Sequence, residues 1–273
     1  MSERITVDIK DGIADVKLVR TDKMNALDDA MFEALVSTAE KLNSEKSVRC
    51  VVLSGEGRAF CAGLDMGNFA KMASAGSDKS EKSSATSSES LATRTYGIAN
   101  RAQQAAWGWR QLRVPVINAA HGVAFGGGFQ VFLGSDIRIA HPETKLCIME
   151  VKWGLIPDMA LTPIVRNLVR EDILRELTYT GRIFTAVEGK EYGFVTHLSE
   201  TPYEDAMALA KTIASQSPDS VQAAKRLYNQ LPDATEAETL LAESTIQLEI
   251  MGKPNQIEAA MAGLEKRPAN FKD

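Results

Sequence analysis

The chain has 273 residues, which is enough for one large domain or for one domain with an appendage. Hydrophobic residues make up 44% and charged residues 25%, so a sizeable core is available and disorder over most of the length is excluded. The formal net charge of −5 provides no sequence-wide basic field. We therefore expect no nucleic-acid partner and no association with an anionic membrane.

The three cysteines have no spacing typical of zinc ligands, and an odd number argues against a disulfide framework. We expect no metal site. The N-terminal segment alternates charged and apolar residues and lacks the apolar stretch of a signal peptide, and no later window approaches a membrane span. These features predict a reducing, cytoplasmic location.

The first half of the chain reads as alternating strands and helices. Residues 3–9 and 13–19 alternate apolar with polar around Gly12, which predicts a β-hairpin. Apolar residues recur at helical spacing from Asp28 to Leu42, with Asp28 placed as the N-cap. A buried strand is predicted over Val48–Leu53, and it leads into a glycine-rich turn at residues 54–57.

A second buried strand is predicted over Val114–Ala120, and it leads into the three glycines of residues 126–128. A short helix over Phe129–Leu133 and short strands over Ile137–Ala140 and Leu146–Met149 follow. This alternation through residue 200 predicts an α/β architecture. From Thr201 onward helix follows helix, so we predict a core domain over residues 1–200 and a helical region over residues 201–273.

Residues 74–90 are serine-rich and have little apolar surface to bury, which predicts a mobile surface loop. A spacer between helices and a lid over a substrate both remain open.

Two glycine-rich turns each follow a buried strand. Glycine permits positive φ and close approach of a ligand to the main chain, and the second turn opens a helix whose free N–H groups favour negative charge. One such turn would be explained by tight packing alone, whereas two favour an anion or oxyanion site. Neither turn fits a nucleotide-binding motif, and the three histidines are scattered, so acid–base chemistry is left to carboxylates.

Several stretches together resemble the crotonase superfamily, the enoyl-CoA hydratases and isomerases. The resemblance covers nearly the whole chain, and the matching stretches are Lys23–Leu27, Gly57–Asp65, Val114–Gly128, Gly154–Pro157 and Tyr179–Arg182. It implies an α/β fold of ββα repeats forming a spiral, with a helical C-terminal region that builds a homotrimer or a dimer of trimers. It also implies acyl-CoA thioester substrates, with coenzyme A as part of the substrate and no separate cofactor.

The resemblance implies that the N–H groups of Leu64 and Gly127 stabilise the thioester oxygen when an enolate forms. Hydratases of the family carry a glutamate three residues after the middle glycine, where this chain has Gln130, and a second glutamate, which corresponds to Glu150. An amide cannot take a proton at neutral pH, so the two-carboxylate route to hydration is in doubt. Glu150 is then the expected general base.

Asp158 follows Glu150 by eight residues, a spacing similar to that of the dienoyl-CoA isomerases of the family, although those isomerases also have an aspartate where this chain has Gln130. It is expected either to donate a proton at the distal carbon or to cap a helix starting at Met159. Further substrate and CoA contacts implied by the resemblance are Lys23, Asn25, Ala26, Ala62, Gly63, Asp65 and Gly126, with Lys266 and Arg267 contributed by a neighbouring subunit.

Together these residues favour an acyl-CoA enzyme that moves a double bond through a glutamate proton shuttle, with Asp158 and Gln130 tuning the far end of the acyl group. One alternative is an enoyl-CoA hydratase that adds water with Glu150 and Asp158. A second alternative is a non-catalytic acyl-CoA binding protein that keeps the fold without the chemistry.

Overall fold

The structure is a computed structural model that describes residues 3–65, 67, 91–230 and 234–273. The predicted loop at 74–90 lies outside these residues. The strands are β1 (Ile5–Lys10), β2 (Ile13–Leu18), β3 (Cys50–Gly55), β4 (Val116–Ala120), β5 (Val123–Phe125), β6 (Ile137–Ala140), β7 (Lys145–Cys147), β8 (Phe184–Thr185) and β9 (His197–Leu198). The helices are α1 (Asp29–Ser44), α2 (Arg101–Gln111), α3 (Gly127–Leu133), α4 (Leu161–Val165), α5 (Glu171–Thr180), α6 (Ala186–Tyr192), α7 (Pro202–Ala214), α8 (Pro218–Gln230), α9 (Glu236–Ile250) and α10 (Pro254–Glu265).

The strands form two sheets. One has six strands in the order β1-β2-β3-β4-β6-β9, and the other has three in the order β5-β7-β8. In the larger sheet β1 and β2 form the predicted antiparallel hairpin, and the remaining neighbours are parallel. The carboxyl ends of the parallel strands β3 and β4 therefore meet at one edge. The first glycine-rich turn follows β3 directly, whereas β5 of the smaller sheet lies between β4 and the second glycine-rich turn.

Both faces of the larger sheet are covered, which explains why β3 is buried along its whole length. Alternate residues serve the two faces, so Val51 and Leu53 join the main core under α1, whereas Cys50 and Val52 face α7. Helix α7 covers that second face with alanines at positions 206, 210 and 214, whose small side chains allow close packing on the strands. The boundary at residue 200 stays a prediction, although α7 shares a core with the sheet.

Helix α3 is held in place by aromatic packing. The ring of Phe129 lies 5.3 Å from that of Phe194 and 5.8 Å from that of Phe184, measured between centroids. All residues of α3 are buried. This packing determines where the first turn of the helix lies.

The predicted helix caps and strand ends are confirmed only in part. Asp28 caps α1 as expected, because its side chain accepts a hydrogen bond from Met31 N–H. The interpretation of Asp158 as a helix cap is wrong, because α4 begins at Leu161 with Ala160 as its N-cap residue. The predicted strand over Leu146–Met149 ends earlier, at Cys147, and Glu150 begins a 3-10 helix, Glu150–Trp153.

No helix within the described ranges combines the length and apolarity needed to cross a membrane.

Candidate active site

The segment after the first glycine-rich turn, residues 61–63, lies against β5 and the second glycine-rich turn. Cys61 forms a parallel β-bridge with Ala124, through hydrogen bonds from Cys61 N–H to Val123 O and from Phe125 N–H to Cys61 O, each 3.0 Å. A Cβ added to Gly63 would lie 2.6 Å from Phe125 O, and one added to Gly128 would lie 2.6 Å from Cys61 O. Glycine is therefore required at positions 63 and 128 for these two segments of the chain to approach this closely.

The backbone around Leu64 is oriented by the turn that contains Leu27. Leu27 N–H donates to Gly63 O at 2.7 Å, and Asp65 N–H donates to Leu27 O at 3.0 Å. In a parallel bridge of this type the residue between the two bonded neighbours turns its own N–H to the opposite side. The N–H of Leu64 therefore points away from Leu27.

Gly127 is the first residue of α3, so no carbonyl of its own helix can accept its N–H. The preceding residue, Gly126, has φ of 51° and ψ of −123°, a conformation that favours glycine. A Cβ on Gly127 would lie 2.6 Å from Met159 Sδ and 2.8 Å from Leu27 Cδ1. The amide is thus held in a crowded place at the positive end of the helix.

A cavity of about 1030 Å³ opens beside these amides. It brings together most of the residues that the sequence nominated: Lys23, Ala26, Ala62, Gly63, Leu64, Asp65, Gly126, Gly127, Glu150 and Asp158 all line it. Its wall also includes Trp153, Leu155 and Ile156, which are partly exposed apolar residues. The cavity is therefore lined by Leu64 and Gly127, by apolar side chains and by the carboxylates of Asp22, Asp29, Asp65, Glu150 and Asp158.

Glu150 is held by Gln130 beside the second turn. Gln130 Nε2 donates to Glu150 Oε1 at 2.7 Å, and a Cβ on Gly126 would lie 3.4 Å from the same oxygen. The second oxygen, Oε2, is buried and has no hydrogen-bond partner among the described residues. Burial, with a smaller effect from the negative charge of Asp158, raises the pKa of Glu150 above its usual range.

Gln130 itself lies behind the cavity wall, with only 1% of its surface exposed. Its Oε1 accepts hydrogen bonds from Met159 N–H at 2.8 Å and Leu161 N–H at 3.2 Å. These contacts determine the orientation of the Gln130 side-chain amide, because its oxygen must face the two N–H donors and its nitrogen must face the Glu150 carboxylate. Gln130 therefore ties Glu150 to the segment that follows Asp158.

Asp158 is a wall residue of the same cavity, and burial raises its pKa. A carboxyl group with a raised pKa holds its proton to a higher pH than an ordinary aspartate. By contrast, burial raises the pKa of the Cys61 thiol to about 12, so this cysteine stays protonated and inert as a nucleophile.

Three of the nominated substrate and CoA contacts do not line the cavity. Asn25 is fully buried, and its Nδ2 donates to Glu56 O at 3.0 Å and Ala59 O at 2.9 Å, which ties the Lys23–Leu27 turn to the first glycine-rich turn. Lys266 and Arg267 lie at the end of α10 and are not among the residues that line the cavity. Arg267 pairs with Glu258 and Glu265, both at 2.6 Å.

One wall of the cavity has no counterpart in the sequence predictions. It comes from the first turns of α1 and α2 and consists of Asp29, Phe32, Asn100, Arg101, Ala102 and Gln103. Arg101 pairs with Asp29 at 3.5 Å and lies 6.0 Å from the centroid of the Phe32 ring. The capping box of Asn100 and Gln103 is visible as a helix-start signal, but nothing local indicates that this helix begins at a cavity.

Comparison with known proteins supports the family resemblance that the sequence motifs indicated. The family model for enoyl-CoA hydratase/isomerase matches residues 8–273. A Delta(3,5)-Delta(2,4)-dienoyl-CoA isomerase of Dictyostelium discoideum is 27% identical over 263 residues, covering 95% of this chain and 87% of its own. An enoyl-CoA hydratase of Mycobacterium tuberculosis is 29% identical over 260 residues, covering 94% and 92%. The crystal structure of an enoyl-CoA hydratase from Bacillus anthracis superimposes with a TM-score of 0.85, at 28% identity and 99% coverage of both chains.

The fold and the sequence match together define the class: this is a crotonase-fold protein. The chain belongs to the enoyl-CoA hydratase/isomerase family and is an enzyme of that family. The predicted fold class is confirmed, and the family includes relatives named for hydration and relatives named for isomerisation.

Proposed function

We propose that this enzyme is an acyl-CoA isomerase that moves a carbon–carbon double bond, acting on enoyl- or dienoyl-CoA thioesters. The observation that carries the proposal is the partner of Glu150. That partner is the amide of Gln130, whereas hydration in this family would use a second carboxylate there. A second carboxylate, Asp158, lies elsewhere on the same cavity wall.

In this proposal the N–H groups of Leu64 and Gly127 bind the thioester oxygen. Removing a proton next to a thioester carbonyl shifts negative charge to that oxygen, so donors that are already oriented stabilise the transition state. The free directions of both amides and their place in the cavity lining support this role. The loss of one such donor costs roughly 10²–10³ in rate.

Glu150 is the proposed general base. Oε2 makes no hydrogen bond with a described residue, so we assign to it the acceptance of the substrate proton once the side chain turns this oxygen towards the cavity. Its raised pKa makes the carboxylate a stronger base than an exposed glutamate. The hydrogen bond from Gln130 orients the ionised carboxylate.

Asp158 is the proposed proton donor at the distal carbon. Partial desolvation raises its pKa, so this carboxyl keeps its proton to a higher pH than an ordinary aspartate. When Glu150 takes one proton and Asp158 delivers another, the double bond shifts and no atom is added to the substrate. Proton exchange with solvent then restores both carboxyl groups. The relative named as a dienoyl-CoA isomerase supports this assignment.

Gln130 is poorly suited to assist the addition of water. Its oxygen is occupied by two backbone N–H donors, and its side chain is almost completely buried. It can neither donate nor accept a proton at neutral pH. We therefore favour isomerisation over hydration by Glu150 and Asp158.

We propose further that Lys23, Ala26, Ala62, Gly63, Asp65 and Gly126 contact coenzyme A or the thioester. The proposed assembly is a homotrimer or a dimer of trimers, in which Lys266 and Arg267 approach the CoA phosphates of a neighbouring subunit. Asn25 acts indirectly in this scheme by holding the turn that carries Ala26. A cytoplasmic location also stays a prediction.

The test is a panel of enoyl- and dienoyl-CoA substrates assayed in water enriched in oxygen-18. We expect a shifted double bond without incorporation of the heavy oxygen. Incorporation as the main outcome would favour the hydratase alternative. The variant Glu150→Gln should lose about 10²–10⁴-fold in kcat while still binding CoA esters. Wild-type inertness towards the whole panel would instead support the non-catalytic alternative.

A further inference from the structure

Arg20 lies two residues beyond β2, close to the cavity but not among the residues that line it. Its side chain is only 14% exposed. One nitrogen, Nη1, donates to Ala26 O at 2.9 Å and pairs with Asp65 Oδ2 at 2.7 Å. The other, Nη2, lies 3.6 Å from Asp28 Oδ2. We call the set of Arg20, Ala26 and Asp65 the arginine bridge.

The arginine bridge spans the two segments that orient Leu64. Ala26 directly precedes Leu27, and Asp65 directly follows Leu64, while Leu27 and Leu64 form a β-bridge with each other. A single guanidinium nitrogen therefore fastens both sides of that β-bridge. The planar guanidinium fixes the directions of these contacts, whereas lysine carries a freely rotating ammonium on a shorter side chain.

The Lys23–Leu27 turn needs such support because its backbone is strained. Met24 and Asn25 have φ of 48° and 57°, in the left-handed region that non-glycine residues adopt at a cost. Asn25 secures the middle of this turn through its two hydrogen bonds to the first glycine-rich turn. The arginine bridge secures its end, next to the Leu64 amide.

We propose that Arg20 is a positioning residue of the reaction: through Ala26 and Asp65 it holds the N–H of Leu64 in the direction that the thioester oxygen requires. This inference rests on the proposed role of Leu64. Charge on that oxygen increases in the transition state, so a misdirected donor reduces turnover more than it reduces binding. A displacement of about 1 Å in such a site can cost roughly 10²-fold in rate.

The test compares Arg20→Lys and Asp65→Asn with a matched control, Arg4→Lys. Arg4 is similarly buried, at 16% exposure of its side chain, and pairs with Asp28 at 2.6 Å, but the arginine bridge does not include it. We expect kcat to fall roughly 10- to 100-fold in the Arg20 and Asp65 variants. The affinity for free coenzyme A should change less in Arg20→Lys, because Arg20 does not line the cavity. The Arg4 variant should keep wild-type turnover.

A spectroscopic measurement separates positioning from general damage to the fold. The infrared carbonyl band of a carbon-13 thioester analogue should move to lower frequency when bound by the wild type, because two amides polarise it. The shift should be smaller with Arg20→Lys and Asp65→Asn, and it should persist with Glu150→Gln.

The infrared results distinguish the proposed role of the two amides from the proposed role of Arg20. No band shift in the wild type would overturn the proposed role of the amides themselves. A normal shift in the wild type that persists unchanged in folded Arg20→Lys would overturn the role of Arg20 alone. A smaller shift with Arg4→Lys, equal to that with Arg20→Lys, would also overturn it, because the effect would then come from Asp28.

Discussion

The variant Gln130→Glu tests the proposed base most directly. A glutamate at this position would keep an oxygen for the two backbone N–H donors, Met159 N–H and Leu161 N–H, but it would place a second carboxyl where an amide now donates to Glu150 Oε1 at 2.7 Å. Two N–H donors favour the ionised form of the introduced carboxyl. The proton shared by the pair would therefore reside on Glu150.

Coulomb's law gives the magnitude. Two unit charges about 3 Å apart interact with about 5 kcal/mol at an effective dielectric constant of about 20. One pKa unit corresponds to ~1.4 kcal/mol, so even after solvent screening the pKa of Glu150 should rise by at least about one unit. Because Glu150 must be ionised to accept a proton, the rise of kcat/KM with pH should move to higher pH.

The assay is the pH profile of kcat/KM for an isomerised substrate, measured on the wild type and on Gln130→Glu. Activity of the variant should recover towards the wild-type value at alkaline pH, since the lost base is then ionised again. If kcat/KM rose with pH in the same way in both proteins, the prediction would be refuted, because residue 130 would then not affect the pKa of the group that accepts the proton. The same variant in oxygen-18 water tests whether a second carboxylate introduces hydration.

Three further predictions concern stability. Glu150→Gln should raise Tm at neutral pH, because burial raises the pKa of this carboxyl and its ionised form therefore destabilises the folded state. Calorimetry should show that this gain in Tm disappears well below pH ~4, where the wild-type carboxyl is protonated in both the folded and unfolded states. Gly128→Ala should lower the free energy of unfolding by about 1–3 kcal/mol in denaturant titrations, because its Cβ would meet Cys61 O and Sγ at 2.6 Å. Lys225→Met should cost about 3 kcal/mol in the same measurement, because it leaves the partly buried Asp136 without the ion pair that it makes at 2.7 Å. An unchanged unfolding curve for either of the last two variants would contradict its packing or pairing argument.

Local patterns in the sequence were sufficient for several features. The hairpin, the Asp28 cap, the buried strands and the two glycine-rich turns depend on residues close to each other in the chain, and the structure contains each of them. The α/β class followed from the order of these elements, and the resemblance to the crotonase superfamily followed from motifs of the same short range. Strand ends were less accurate, because a 3-10 turn competes with strand at Glu150.

The orientation of the Gln130 side chain could be determined only from the tertiary structure. The sequence shows that an amide stands where hydratases have a glutamate, but it does not show which way that amide points. Its direction depends on Met159 and Leu161, which are 29 and 31 residues away and reach Gln130 only after the chain has folded back. These contacts, together with the hydrogen bond to Glu150, hold the Gln130 side chain outside the set of residues that line the cavity. Its expected action at the far end of the acyl group stays a prediction.

The sequence by itself identified the chemical groups proposed for the site: backbone amides after two glycine-rich turns, one glutamate, one aspartate and an amide in place of an acid. The tertiary structure decided how these groups are held. Arg20 and Asp65 lie far apart in the sequence but form an ion pair, and the first turns of α1 and α2 form one wall of the cavity. The physical reason is that capping and periodicity depend on neighbours along the chain, whereas these contacts depend on how several packed elements place side chains in space.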